Sequence, residues 1–165
     1  MNNTLAFDFI VDKASKTITI KREFAAEPAL VWDAFTKKEI LDQWWAPKPY
    51  KSETSSMEFK EGGYRYYAMV GPNGEKHWSS VKYESIKDHK QFICLNAFTD
   101  ANGVTDPNMP KSQWEVNFTG KNDLTLVEIY IKFADLSHLE GHIKMGFKEG
   151  MTMCLDQLEE LVSAR

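Results

Sequence analysis

The segment LSHLEGHIKMGFKEGMTMCLDQLEELVSAR, residues 136–165, decides how the rest of the chain is read. Ile143, Phe147, Met151, Cys154, Leu158 and Leu161 recur at steps of four and three, the period of one face of an α-helix. Lys148, Glu149, Asp156 and Glu159 fall on the other side. The pattern predicts one long amphipathic helix, with Ser137 as N-cap and Glu140 three residues on in capping-box spacing. Gly146 and Gly150 lie one turn apart, and each costs about 1 kcal/mol relative to Ala inside a helix. They border the apolar stripe, where a missing side chain allows close approach of another element or leaves room for a ligand. His138 and His142 have the i, i+4 spacing of a metal pair, but His-Leu-Glu-Gly-His matches neither zinc-helix motif. Both fall opposite the stripe, so a solvated pair and no metal site are expected.

An amphipathic helix of this length must cover something, and the preceding sequence supplies a sheet. LAFDFIVD (5–12) and KTITIKREF (16–24) read as a hairpin across Lys13–Lys16, with Ile18, Ile20 and Phe24 on the buried face. AEPALVWDAF predicts a short helix entered at Pro28. KKEILDQWW predicts a second, ending by Trp45 or Ala46 because Pro47 and Pro49 disfavour helical backbone before them. From Lys51 the chain alternates in strand fashion, with turns at Glu61-Gly62-Gly63, Gly71-Pro72-Asn73-Gly74 and Lys87–Lys90. After a longer loop, DANGVTDPNMPKS, come SQWEVNFTG and LTLVEIYIKF, joined at Gly120–Asp123. These connections are too short for crossovers, so the strands are antiparallel. The expected architecture is α+β: a curved antiparallel sheet wrapped around the C-terminal helix, two short helices plugging one end, and one domain over 1–165 with interior volume between sheet and helix.

The composition, 42% hydrophobic and 27% charged over 165 residues, is that of a globular protein. Its 13% aromatic content is high, and aromatics line pockets as well as fill cores. A net charge of −4 without a Lys/Arg run argues against nucleic-acid binding. Cys94 and Cys154 sit in apolar patterns and read as buried free thiols. Residues 1–16 lack the charged start and continuous apolar core of a signal peptide. No apolar run reaches membrane-span length. A cytoplasmic location is expected.

Several stretches together resemble one family. REFAAEPALVWDAFTKKEILDQWWAPKPY, FKEGGYRYYAMVGPNGEKH and MGFKEGMTMCLDQLEEL are similar to the activator of heat-shock-protein-90 ATPase homologue family of the START-like, or helix-grip, superfamily (SRPBCC domains). The likeness covers about residues 17–163. It rests on the Trp-Trp pair before a small residue and Pro, the Gly-Gly strand opening, the Gly-Pro-x-Gly turn and Gly-Phe-x-x-Gly in the last helix. Ala46 and Met151 depart from the Gly and the aromatic usual at those places, which should alter pocket shape more than fold. The resemblance implies a helix-grip fold with a cavity able to take a hydrophobic ligand. It also implies a possible chaperone-ATPase partner.

Trp44 and Trp45 cannot both serve one flat face, since neighbouring side chains point apart on helix and strand alike. Either one is buried while the other edges an opening, or both seal the core. The expected function is binding of a small hydrophobic or aromatic ligand under the last helix. Its lining would be Trp44 and Trp45 at the mouth, Tyr66, Trp78 and Trp114 on the sheet, and Phe147 and Met151 on the helix. Tyr66 would orient a polar group. Stimulation of a chaperone ATPase and a cavity enzyme of cyclase or hydrolase type are the alternatives. No cofactor is called for, no nucleophile elbow or phosphate loop occurs, and the protein is expected to be a monomer or homodimer.

Overall fold

Strands β1 (Phe7–Asp12) and β2 (Thr17–Phe24) form the expected hairpin, with Phe7 opposite Arg22 and Asp12 opposite Thr17. The computed structural model describes residues 5–163, so the ends of the expected 1–165 span, residues 1–4 and 164–165, lie outside the described residues. Helix α1 (Pro28–Thr36) starts on its proline, whose missing N–H would have had no helical partner. Helix α2 (Lys38–Leu41) is a single turn, shorter than the run to Trp45 that the sequence suggests. Strands β3 (Lys51–Met57), β4 (Tyr64–Val70), β5 (Lys76–Lys87), β6 (Gln91–Thr99), β7 (Lys111–Lys121) and β8 (Leu124–Phe133) follow. The eight strands make one antiparallel sheet ordered β1-β2-β8-β7-β6-β5-β4-β3.

Alternation builds the inner face in rows. Ile18, Ile131, Trp114, Cys94 and Tyr83 are register partners across five strands, and all are buried. Ile20, Ile129, Val116 and Phe92 form the next row. Both rows face the side of the sheet where α1 and the C-terminal helical segment pack, as a sheet with one apolar face requires. β1 is an edge strand, with Phe7, Ile10 and Val11 exposed.

That terminal segment is two helices, where the stripe predicts one. Helix α3 (Leu136–Lys144) stops at Met145 and Gly146, and α4 (Phe147–Ser163) begins at once. Gly146 has φ +86°, a left-handed conformation that glycine adopts without the Cβ penalty other residues meet. The N-cap of α3 is Asp135 rather than Ser137: its carboxylate accepts the Ser137 N–H. α4 buries Met151, Cys154, Leu155, Leu158 and Val162 against the sheet, completing a helix-grip fold.

The two glycines therefore do different things. A Cβ at Gly150 would meet Pro47 Cγ at 3.7 Å, an ordinary contact within a helix interior. Gly150→Ala is expected to raise stability by about 0.5–1 kcal/mol, and Gly146→Ala to lower it by about 1 kcal/mol or more. Paired urea titrations check this; the same sign for both variants would contradict it.

Candidate functional site

The sheet and the helices do not fill the space between them. A cavity of about 560 Å³ lies between α4, the α3–α4 junction and the inner faces of β4 to β7. A single aromatic wall runs along it. Trp45 lies 5.9 Å from Trp114, Trp114 is 6.0 Å from Phe147, and Phe147 is 5.1 Å from His142, while Trp44 stands behind the wall and meets Trp45 edge-on at 5.2 Å. Met151 and Cys154 complete the helix side, and Tyr67, Met69, Ser79 and Asn96 the sheet side.

The Trp pair divides its labour. Trp44 is fully buried, donates its indole N–H to the Ala34 carbonyl at 2.9 Å, and packs edge-on against Phe35 of α1 at 4.8 Å. It seals the core and does not reach the cavity. Trp45 lines the cavity and donates its indole N–H to the Tyr67 hydroxyl at 2.9 Å. The turn that separates them is clamped from α4. Gln157 donates its side-chain amide to the carbonyls of Trp44 (3.0 Å) and Ala46 (2.9 Å) and accepts the Lys48 N–H (3.2 Å). The Cys154 thiol donates to the Trp45 carbonyl at 3.2 Å. Burial pushes that thiol up to about 12 and raises Cys94 as well, so neither is a thiolate nucleophile at neutral pH.

Behind Trp45 stands Arg65, only 1% exposed. Its guanidinium donates to Thr54 Oγ1 (3.2 Å), Ser52 Oγ (3.0 Å) and Asp42 Oδ1 (3.3 Å), and sits 3.8 Å from the Tyr67 ring centroid. This stack of cation, phenol and indole fixes the sheet wall of the cavity. A second void beside Arg65 and Cys94 measures about 30 Å³, too small for anything beyond water.

Of the expected lining residues, the structure brings Trp45, Trp114, Phe147 and Met151 together around the cavity. Trp44, Tyr66 and Trp78 are elsewhere. The strand YRYYAMV carries aromatics in both phases, and hydropathy alone does not choose between them. Arg65, Tyr67 and Met69 face inward, opposite Val81, Ser79 and His77. Tyr66 therefore faces outward, stacked on Tyr64 at 5.7 Å and lying against Gly103 of the β6–β7 loop. Trp78 is also on the outer face, with the Lys76 ammonium 5.8 Å from its ring. The one available signal was the set of short polar residues, Asp42, Ser52 and Thr54, able to satisfy an inward arginine.

His142 also departs from expectation. It is 8% exposed, packed among Phe98, Phe133 and Phe147 with ring centroids 6.0, 5.0 and 5.1 Å away, and it lines the cavity. Burial first, and the nearby His138 second, lower its pKa to about 4, so it is neutral at physiological pH. The break at Gly146 rotates α3 relative to α4, so a stripe extended backwards through the break puts His142 on the wrong face. No group of three or more His, Cys, Asp or Glu side chains among the described residues is placed to hold a metal.

A family model described as Activator of Hsp90 ATPase homolog 1-like protein matches residues 25–163. Among solved structures, the crystal structure of protein Ms6760 from Mycobacterium smegmatis is 25% identical. It superposes with a TM-score of 0.89 over 98% of this chain and 99% of that one. A solution structure from Staphylococcus epidermidis is 27% identical, with TM-score 0.82 and 93% of each chain covered. Protein NE0264 from Nitrosomonas europaea is 26% identical, with TM-score 0.80 over 92% of this chain and 96% of that one. No curated protein matches.

Proposed function

Because the chain belongs to the Activator of Hsp90 ATPase homolog 1-like family, whose helix-grip fold it shares, we propose that it binds a small apolar or aromatic molecule between the sheet and α4. The observation that carries this reading is the 560 Å³ cavity, within the range of about 300–1,000 Å³ typical of small-molecule sites. Its walls support the same reading: rings and thioethers supply contact area, with hydroxyl, amide and imidazole groups set among them.

The expected result is that a screen of neutral aromatic and aliphatic compounds yields ligands that raise the melting temperature and alter Trp45 and Trp114 fluorescence. At a hundredfold excess over Kd, such a ligand stabilises the fold by about 2.7 kcal/mol. Silence across a broad library would overturn the proposal.

The family description favours a second reading, stimulation of a chaperone ATPase. An unchanged ATPase rate at saturating protein would remove it. Catalysis within the cavity has less support. His142 is a buried titratable group beside the cavity, but no carboxylate orients it and no hydroxyl or thiol is bonded to it among the described residues. No helix among the described residues is long and apolar enough to cross a membrane, and two buried free thiols favour a reducing, cytoplasmic setting.

A further inference from the structure

Two polar groups on opposite walls of the cavity lack the partners that burial demands. Tyr67 accepts the Trp45 indole N–H at its oxygen, yet its own O–H has no acceptor among the described residues. Accepting one bond polarises the O–H that remains. On the α3 side, His142 lines the cavity; its Nδ1 is shut away with no partner, and its Nε2, which is not sealed in this way, makes no hydrogen bond among the described residues. Placing the proton on Nε2 puts the donor where a ligand can reach it, because a sealed N–H is costlier than a sealed lone pair.

The register spaces the sheet side of the cavity between them. Tyr67, Ser79 and Phe98 are partners across β4, β5 and β6, two strand spacings or about 10 Å. The Phe98 ring then lies 6.0 Å from that of His142. Among the described residues no Lys, Arg, Asp or Glu side chain lines this space, and the His142 imidazole is neutral.

Resting on the binding function proposed above, we propose that the ligand is an uncharged aromatic molecule carrying two hydroxyl or carbonyl oxygens at opposite ends. One oxygen is held by Tyr67 O–H and the other by His142 Nε2. A hydroxyl suits both anchors, since it accepts from either and donates to the imidazole if the other tautomer is selected.

A matched series separates this inference from the reading beneath it. Biphenyl supplies the apolar body alone, biphenyl-4,4′-diol adds two oxygens of suitable span, and biphenyl-4,4′-dicarboxylate adds charge. By isothermal titration the diol is expected to bind about tenfold more tightly than biphenyl, and the dicarboxylate more weakly than the diol. Tyr67→Phe and His142→Leu should each bring the ratio of diol to biphenyl affinity most of the way towards one, whatever either does to biphenyl binding itself. Should either variant fold poorly, the imidazole nitrogen resonances of the unaltered protein give the same answer, with Nε2 moving on addition of the diol and not of biphenyl. Equal affinity for diol and biphenyl would overturn the two-anchor inference while preserving an apolar binding cavity. A dicarboxylate that binds more tightly than the diol would overturn the uncharged class. Failure of biphenyl and diol alike would overturn both.

Discussion

Replacing Asp42 by Ala is expected to lower the unfolding free energy by about 3–5 kcal/mol. The carboxylate accepts from Ser52 Oγ (2.7 Å), Thr54 N (3.0 Å), Thr54 Oγ1 (2.7 Å) and Arg65 (3.3 Å). Its own side chain is 27% exposed, whereas that of Arg65 is 2% exposed. Truncation therefore strands a sealed guanidinium that cannot shed its proton. Asp42→Asn keeps part of the hydrogen bonding and removes the charge, so its loss should be intermediate. Urea denaturation followed by circular dichroism measures both. A loss of about 1 kcal/mol or less would place the pair among ordinary surface ion pairs and refute the role given to it here. Because Arg65 stacks on Tyr67 and Tyr67 holds Trp45, Asp42→Ala should also loosen the sheet wall and weaken ligand binding.

Trp44→Ala is expected to cost about 3–5 kcal/mol, within the range for removal of large buried aromatics. The indole is fully enclosed, and its removal opens a hole against Phe35 while orphaning the Ala34 carbonyl. Trp45→Ala should cost about 2 kcal/mol, because one side of that ring already faces the cavity and less surface returns to water. The order reverses for function: Trp45→Ala should impair ligand binding severely, and Trp44→Phe should leave it nearly unchanged. Melting curves and titrations with the same ligand test both halves. Equal destabilisation by the two alanine substitutions would contradict the division between sealing and lining.

Much of the fold was legible because it rests on periodicities that local chemistry enforces. The alternation in TITIKREF, SQWEVNFTG and LTLVEIYIKF places Ile20, Val116 and Ile129 on one face whatever lies opposite them. Short turns forced antiparallel pairing, and the stripe from Ile143 to Leu161 required a helical segment with something to cover. The Trp-Trp-Ala-Pro stretch likewise announced a turn, since no regular element lets both indoles share a face.

The site was legible only in part. Trp114, Phe147 and Met151 line the cavity as expected because each lies on an element whose phase the sequence defines, and Trp45 lines it from the turn after α2. Tyr67 was missed because its strand is aromatic in both phases, and His142 because a break at Gly146 reset the helical phase. Gln157 carried no signal, since its three bonds go to backbone groups far away in sequence.

By itself, then, the sequence determined the element types, their antiparallel pairing, the gripping helix and the family. Which way β4 turns, and which histidine is enclosed, only the tertiary structure decided. A charged or polar side chain goes inward only when partners from distant segments satisfy it, and Asp42, Ser52 and Thr54 reach Arg65 only once β3, β4 and the end of α2 have come together.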